Sequence, residues 1–245
     1  VTVEGASLEG RVALVTGAGS GIGRASAVAL AEEGVRVAVG YRGNKDGAQE
    51  TVALCEGAME FNIDVASSES VSGAFEEIEQ AMGPVEILVN NAGITRDGLL
   101  MRMSESNWDE VIDTVLKGAY RCTKRALPGM LKGRWGRVIS IGSVVGTTGN
   151  PGQTNYAAAK AGLIGFSKAL ALEVAAKGIT VNVVAPGLVE TEFVAKLPQA
   201  ARDAMLSRIP MGRSSSADEA AEAVRFCARA TYLTGQVIGI NGGLA

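Results

Sequence analysis

The sequence predicts an α/β protein built on a single doubly wound parallel sheet with helices on both faces. Three observations carry that expectation. Short β-branched runs alternate with longer stretches of helical spacing along most of the chain. No linker-like run rich in Pro, Gly or Ser breaks the alternation. The first run also feeds a glycine-rich turn that opens directly into a helical pattern. Strands separated by helices pair in parallel through right-handed crossovers, which cover both faces of the sheet.

Taken in order, the strands are expected at residues 12–16, 35–40, 59–63, 85–90, 136–141, 179–185 and 236–241, that at 59–63 being the weakest. Most are dense in Val and Ile, as strands buried on both faces are. Helical spacing falls over 22–33, 71–82, 108–131, 154–176 and 217–228. At 245 residues, 47% of them hydrophobic, the chain can bury a substantial core, and the unbroken pattern favours a single domain over 1–245.

Composition removes several classes of function. The net charge is −3 with both signs scattered, so nothing resembles the basic stripe that neutralises nucleic-acid phosphates. No apolar stretch approaches the roughly 20 residues that span a bilayer. Residues 1–10 lack a basic segment followed by an apolar one, and a cytoplasmic location is expected. Cys55, Cys122 and Cys227 are widely spaced and odd in number, which fits reduced thiols and no zinc site. With no histidine, proton chemistry falls to Tyr, Lys, Asp, Glu or Cys.

In doubly wound sheets ligands bind beyond the carboxyl ends of the strands. Beyond the first lies Thr16-Gly17-Ala18-Gly19-Ser20-Gly21-Ile22-Gly23. Glycines there let the backbone turn tightly and approach a pyrophosphate at the positive end of the helix dipole; a plain strand-to-helix turn is the alternative. The second strand ends in Gly40-Tyr41-Arg42-Gly43-Asn44, without the acid that would bind a ribose 2′-hydroxyl. Arg42 can instead pair bidentately with a 2′-phosphate, which favours NADP(H), or it is a solvated surface arginine.

Tyr156 and Lys160 stand four apart in an alanine-rich helical segment and so share one face. A phenol titrates near 10, and a neighbouring ammonium is expected to lower it toward the working range. Ser143, just past the strand at 136–141, can hydrogen-bond a substrate carbonyl; a turn or cap serine is the other reading.

The T-G-x-x-x-G-x-G loop, Ser143 and Tyr156-x-x-x-Lys160 together resemble the short-chain dehydrogenase/reductase family, and the likeness runs from about Leu8 to Gly243. It implies a Rossmann-like fold binding NADP(H) through Gly17, Gly19, Ser20, Gly21, Ile22 and Gly23. The N-N-A-G element Asn90, Asn91, Ala92 and Gly93 matches, as do Asp64 and Val65 at the adenine, and Pro186, Gly187, Val189 and Thr191 beside the nicotinamide. The resemblance makes Tyr156 the acid in the reductive direction, has Lys160 tune it and grip the cofactor, and has Ser143 orient the carbonyl.

Residues 93–103, 141–146 and 155–168 are similar to the β-ketoacyl-acyl-carrier-protein reductases of bacterial fatty-acid synthesis. That likeness implies NADPH-dependent reduction of a 3-oxoacyl thioester, on acyl-carrier protein or CoA, by a homotetramer joined through 108–131, 154–176 and 236–243. Acetoacetyl-CoA reductases and sugar or steroid dehydrogenases share much of the same text. Lys132, Arg134 and Arg137 are either a basic edge for an acidic carrier or a solvated helix end. One position departs: in Asp113-Thr114-Val115-Leu116 the resembling proteins carry Asn in place of Val115, and that Asn supports a water in their proton relay. An NADP-binding protein of weak or no turnover, as a regulatory subunit or inactive variant, therefore stays open.

Overall fold

In a computed structural model, which describes residues 5–190, 199, 203 and 206–245, seven parallel strands form one sheet. They are β1 (Val12–Thr16), β2 (Arg36–Tyr41), β3 (Met59–Asn62), β4 (Ile87–Asn90), β5 (Gly136–Ile141), β6 (Ile179–Pro186) and β7 (Val237–Ile240), in the order β3-β2-β1-β4-β5-β6-β7. Chain direction across the sheet reverses at β1, which pairs with both β2 and β4. A crevice opens at such a switch point, beyond the carboxyl ends of the two central strands.

Helices α1 (Gly21–Ala31), α2 (Lys45–Leu54), α3 (Ser68–Met82), α4 (Glu105–Val111), α5 (Gly118–Gly133), α6 (Val145–Thr148), α7 (Thr154–Val174) and α8 (Ala217–Arg229) surround it. Side chains alternate along each strand, so Val12 and Leu14 enter one layer while Ala13 and Val15 enter the other. The first layer holds Phe75 and Ile78 of α3, Met130 of α5 and Leu170 of α7; the second holds Ala27 and Leu30 of α1 with Val224 and Cys227 of α8. Full burial of a side chain such as Phe75 contributes roughly 1.5–3 kcal/mol. The doubly wound expectation is met.

Local signals set the ends. Ser67 caps α3 by accepting the Ser70 N–H at 3.2 Å, and Gly83, at φ 98°, stops it. Ser216 and Glu219 form a reciprocal capping box on α8.

Two departures from the sequence reading stand out. Helix α2 was not expected, because it buries only Gly47, Ala48 and Thr51 and so carries no apolar stripe. Residues 108–131 are not one α-helix: a π-helical segment, Ile112–Lys117, separates α4 from α5. That wider turn brings Gly118 against the end of β3, where a Cβ would lie 2.8 Å from Val65 Cγ2. All three cysteines are buried, and burial pushes the thiols of Cys122 and Cys227 up to about 12 and about 11. Among the described residues no helix is long and apolar enough to cross a membrane.

Candidate active site

The site begins where β1 and β4 end side by side. The buried Thr16 hydroxyl accepts the N–H groups of Asn91 and Ala92, each at 3.0 Å, and the Asn91 amide donates to the carbonyls of Thr16 at 2.9 Å and Gly17 at 3.0 Å. Two loops are thereby laced together. They approach so closely that a Cβ on Gly17, at φ +65°, would sit 3.1 Å from Ala92 Cα, and one on Gly23 would sit 2.4 Å from Gly17 O. Ser20 precedes α1 in extended conformation without capping it, so the first-turn amides are left to face an anion. A bare-backbone cradle of this kind fits a dinucleotide pyrophosphate.

Beyond β2, Arg42 is 57% exposed, with its guanidinium 3.7 Å from Asp64, and Asn62 holds its carbonyl at 3.1 Å. Exposure leaves that guanidinium able to change partners for a phosphate. Val65 is buried under the same edge. A cleft of about 530 Å³ runs from Arg42 and Ala66 to Ile94, which also lines the catalytic cavity.

Ser143 follows β5, and its Oγ accepts the Val145 N–H at 3.2 Å. Tyr156 lies in the first turn of α7, which Asn155 anchors. The fully buried Asn155 amide donates to the carbonyls of Arg96 at 3.0 Å and Asn107 at 3.1 Å, while its oxygen accepts the Tyr156 N–H at 2.8 Å. Lys160 is buried one turn further on, its Nζ 2.6 Å from Ile141 O and 5.4 Å from the Tyr156 ring centroid. Bare Gly146 lets α6 lie against it, since a Cβ there would come within 2.9 Å of the Lys160 carbonyl carbon. Ser143, Tyr156 and Lys160 share one cavity of about 400 Å³ with Ile22, Asn91, Gly93, Pro186, Gly187 and Val189.

With that convergence in hand, comparison with known proteins is decisive. Residues 11–202 match the short chain dehydrogenase family. The chain belongs to that family. It is 50% identical over 245 residues to the 3-oxoacyl-(acyl-carrier-protein) reductase FabG of Pseudomonas aeruginosa, an alignment covering 97% of this chain and 98% of the relative. FabG of Escherichia coli K12 is 49% identical over 241 residues, with the same coverage of each chain. FabG of Staphylococcus aureus is 48% identical over 238 residues, covering 95% of this chain and 97% of the relative.

This short chain dehydrogenase is an oxidoreductase, and its site differs from the sequence reading in several places. The Tyr156 phenol is raised, not lowered: burial is the largest cause and outweighs the hydrogen bond from Ser143. The Lys160 ammonium donates to Ile141 O, and burial brings the lysine down to about 8. Asn90 gives its amide to Thr123 Oγ1 at 3.1 Å, inside the layer that α5 covers. Thr191 lies outside the described residues. Arg137 is no part of a basic edge: it is buried at the amino end of β5, donating to Ala228 O at 2.9 Å, and Lys132 and Arg134 sit at that same end, opposite Ser143. Val115 is 2% exposed in the π segment, packed with Ile94, Tyr156, Ala159 and Leu163 as an apolar wall behind the Tyr-Lys pair. Thr16 and Asn155 were not singled out as site residues, since their partners are backbone carbonyls and amides far away in sequence.

Proposed function

We propose that the chain, as one NADP-binding domain, uses NADPH to reduce the keto group of a 3-oxoacyl thioester, on acyl-carrier protein or CoA, to the 3-hydroxyacyl form. The observation that carries the proposal is the meeting of Ser143, Tyr156 and Lys160 in one cavity bordered by the glycine loop. The names of the relatives, matched almost end to end, support the substrate class.

In this reading Gly17, Gly19, Ser20, Gly21, Ile22 and Gly23 receive the pyrophosphate, Arg42 the 2′-phosphate, and Asp64 and Val65 the adenine. Asn91, Ala92 and Gly93 with Pro186, Gly187, Val189 and Thr191 enclose the nicotinamide end, with Asn90 tying that loop to α5 from behind. The bound dinucleotide supplies the hydride. Ser143 donates a hydrogen bond to the substrate carbonyl and fixes its direction. Tyr156 donates its proton to that same oxygen as negative charge grows there. The raised phenol pKa keeps the acid loaded at neutral pH. Lys160, cationic below about 8 and 5.4 Å from the Tyr156 ring centroid, would stabilise the phenolate left behind once it exchanges Ile141 O for the cofactor side of the cavity.

A slower enzyme is the second reading, favoured by the apolar wall at Val115. Steady-state oxidation of NADPH with acetoacetyl-CoA beside sugar and steroid ketones tests both. Preference for a sugar or steroid overturns the substrate class, and binding without turnover leaves a regulatory or inactive protein. A homotetramer in the cytoplasm completes the reading; the exposed Tyr120, Leu131 and Leu172 on α5 and α7 support the assembly, and its mass in solution checks that part.

A further inference from the structure

The back of the glycine loop is held by α2 and by one arginine, and this has consequences for cofactor binding. Arg24, on α1, spreads its guanidinium over four acceptors: Nε donates to Thr51 Oγ1 at 3.1 Å, and Nη2 lies 2.9 Å from Gly19 O, 3.1 Å from Gly47 O and 2.7 Å from Glu50 Oε2. Asn44, the cap of α2, reaches Gly19 O at 3.3 Å. The buried Thr51 hydroxyl lies 2.9 Å from both Ala18 O and Gly47 O. Helix and loop meet over bare backbone, since a Cβ on Gly47 would come 2.4 Å from Gly19 O. Two successive carbonyls of the loop, Ala18 and Gly19, are thus drawn toward α2.

A trans peptide unit is planar, with its C=O and N–H directed oppositely. Drawing those two carbonyls toward α2 turns the N–H groups of Gly19 and Ser20 the other way, out of the loop. Glycine gives the loop no stiffness of its own. The orientation of the donors must come from outside it, and Arg24 and Thr51, with the longer contact from Asn44, are the groups in place to set it.

We propose that Arg24 and Thr51 are positioning residues for the cofactor pyrophosphate, holding the Gly19 and Ser20 amides toward the anion without touching it. The inference rests on the dinucleotide reading above. Titrations with ADP, adenosine 2′-monophosphate and NADPH separate the two. Arg24→Ala should weaken ADP and NADPH by about tenfold, the loss expected when a preorganised charged hydrogen-bond set is removed. Adenosine 2′-monophosphate, which has no pyrophosphate, should bind Arg24→Ala as it binds the parent protein. Thr51→Val keeps volume and removes the hydroxyl, so it should shift the same two ligands in the same direction while the thermal melt stays cooperative. Unchanged ADP affinity in both variants overturns the proposal, as does an equal loss for all three ligands, which marks general damage to the fold. A parent protein that binds ADP but not adenosine 2′-monophosphate overturns the role of Arg42 and leaves the ADP comparison decisive for Arg24. A parent protein that binds neither overturns the dinucleotide reading and this proposal together.

Discussion

Replacing Val115 by Asn is expected to raise turnover. The valine is buried among Ile94, Tyr156, Ala159 and Leu163, and its Cγ2 lies 3.6 Å from where a Cβ on Gly93 would stand, a point 4.0 Å from Lys160 Nζ. An ammonium has three donors, and Ile141 O takes one of those on Lys160. Val115, on the Gly93 side of the ammonium, has no group that can accept another. In the resembling enzymes an asparagine at this position supports a water that links the lysine to solvent and allows the tyrosine to recover its proton. A missing hydrogen bond to a charged, buried group costs on the order of 1.5–3 kcal/mol. If that deficit falls wholly on the slowest step, the rate drops by roughly one to two orders of magnitude. Val115→Asn should restore a comparable factor in kcat, reduce the solvent isotope effect and leave NADPH affinity nearly unchanged. The amide brings a stability penalty of about 1–3 kcal/mol if it finds no partner, readable as a lower denaturation midpoint. Equal kcat for the two forms would refute the reasoning, because proton return would then use another route. A lower kcat in the Asn form would show that position 115 is no part of the relay.

Three further outcomes follow from the site. Arg42→Asp should weaken NADPH and spare NADH, and equal losses for both would remove Arg42 from 2′-phosphate recognition. Tyr156→Phe should abolish reduction while keeping the melt and most of the cofactor affinity; near-normal rates would send the search for the acid to Ser143 or a water. Lys160→Met should also end turnover, yet stabilise the fold at neutral pH. The lysine titrates at about 8 in the folded protein against 10.5 ordinarily, so below pH 8 its buried charge costs the fold on the order of 3 kcal/mol. Between about pH 8 and 10.5 the folded state holds fewer protons than the unfolded, and stability rises with pH. Denaturation at pH 7 and pH 10 should show the advantage of Lys160→Met shrinking at the higher pH; a gap that stays constant or widens refutes the assignment.

How much of this was legible in the sequence depended on where each signal is encoded. The strands β1, β4, β5 and β6 were readable because burial on both faces demands unbroken apolar runs. Ser143, Tyr156 and Lys160 were readable because one helix face and one strand end fix their spacing. Helix α2 was not, since its contacts are made by a glycine, an alanine and a threonine hydroxyl. Nor were Arg24, whose partners Thr51, Gly47 and Glu50 lie on α2, and Asn155, whose partners are carbonyls about 50 or more residues away. The expected lowering of the phenol was not met because burial outweighs it, and how deeply the folded chain buries Tyr156 is not written in any local pattern.

The π segment also constrains the length of the chain between Asn107 and Gly118. Asn155 grips α4 through the Asn107 carbonyl, while Gly118 nests on Val65 at the far side of the segment. A π turn holds one residue more than an α turn, so deleting one residue from Ile112–Lys117 would let the segment close to α-helical geometry with α4 and α5 near their present phase. The residues inside it would shift by a place, and Val115 would leave the wall it forms with Ile94, Tyr156, Ala159 and Leu163. Single-residue deletions across this stretch should therefore act on turnover more than on the seat of Gly118 on Val65, with a cooperative melt as the check.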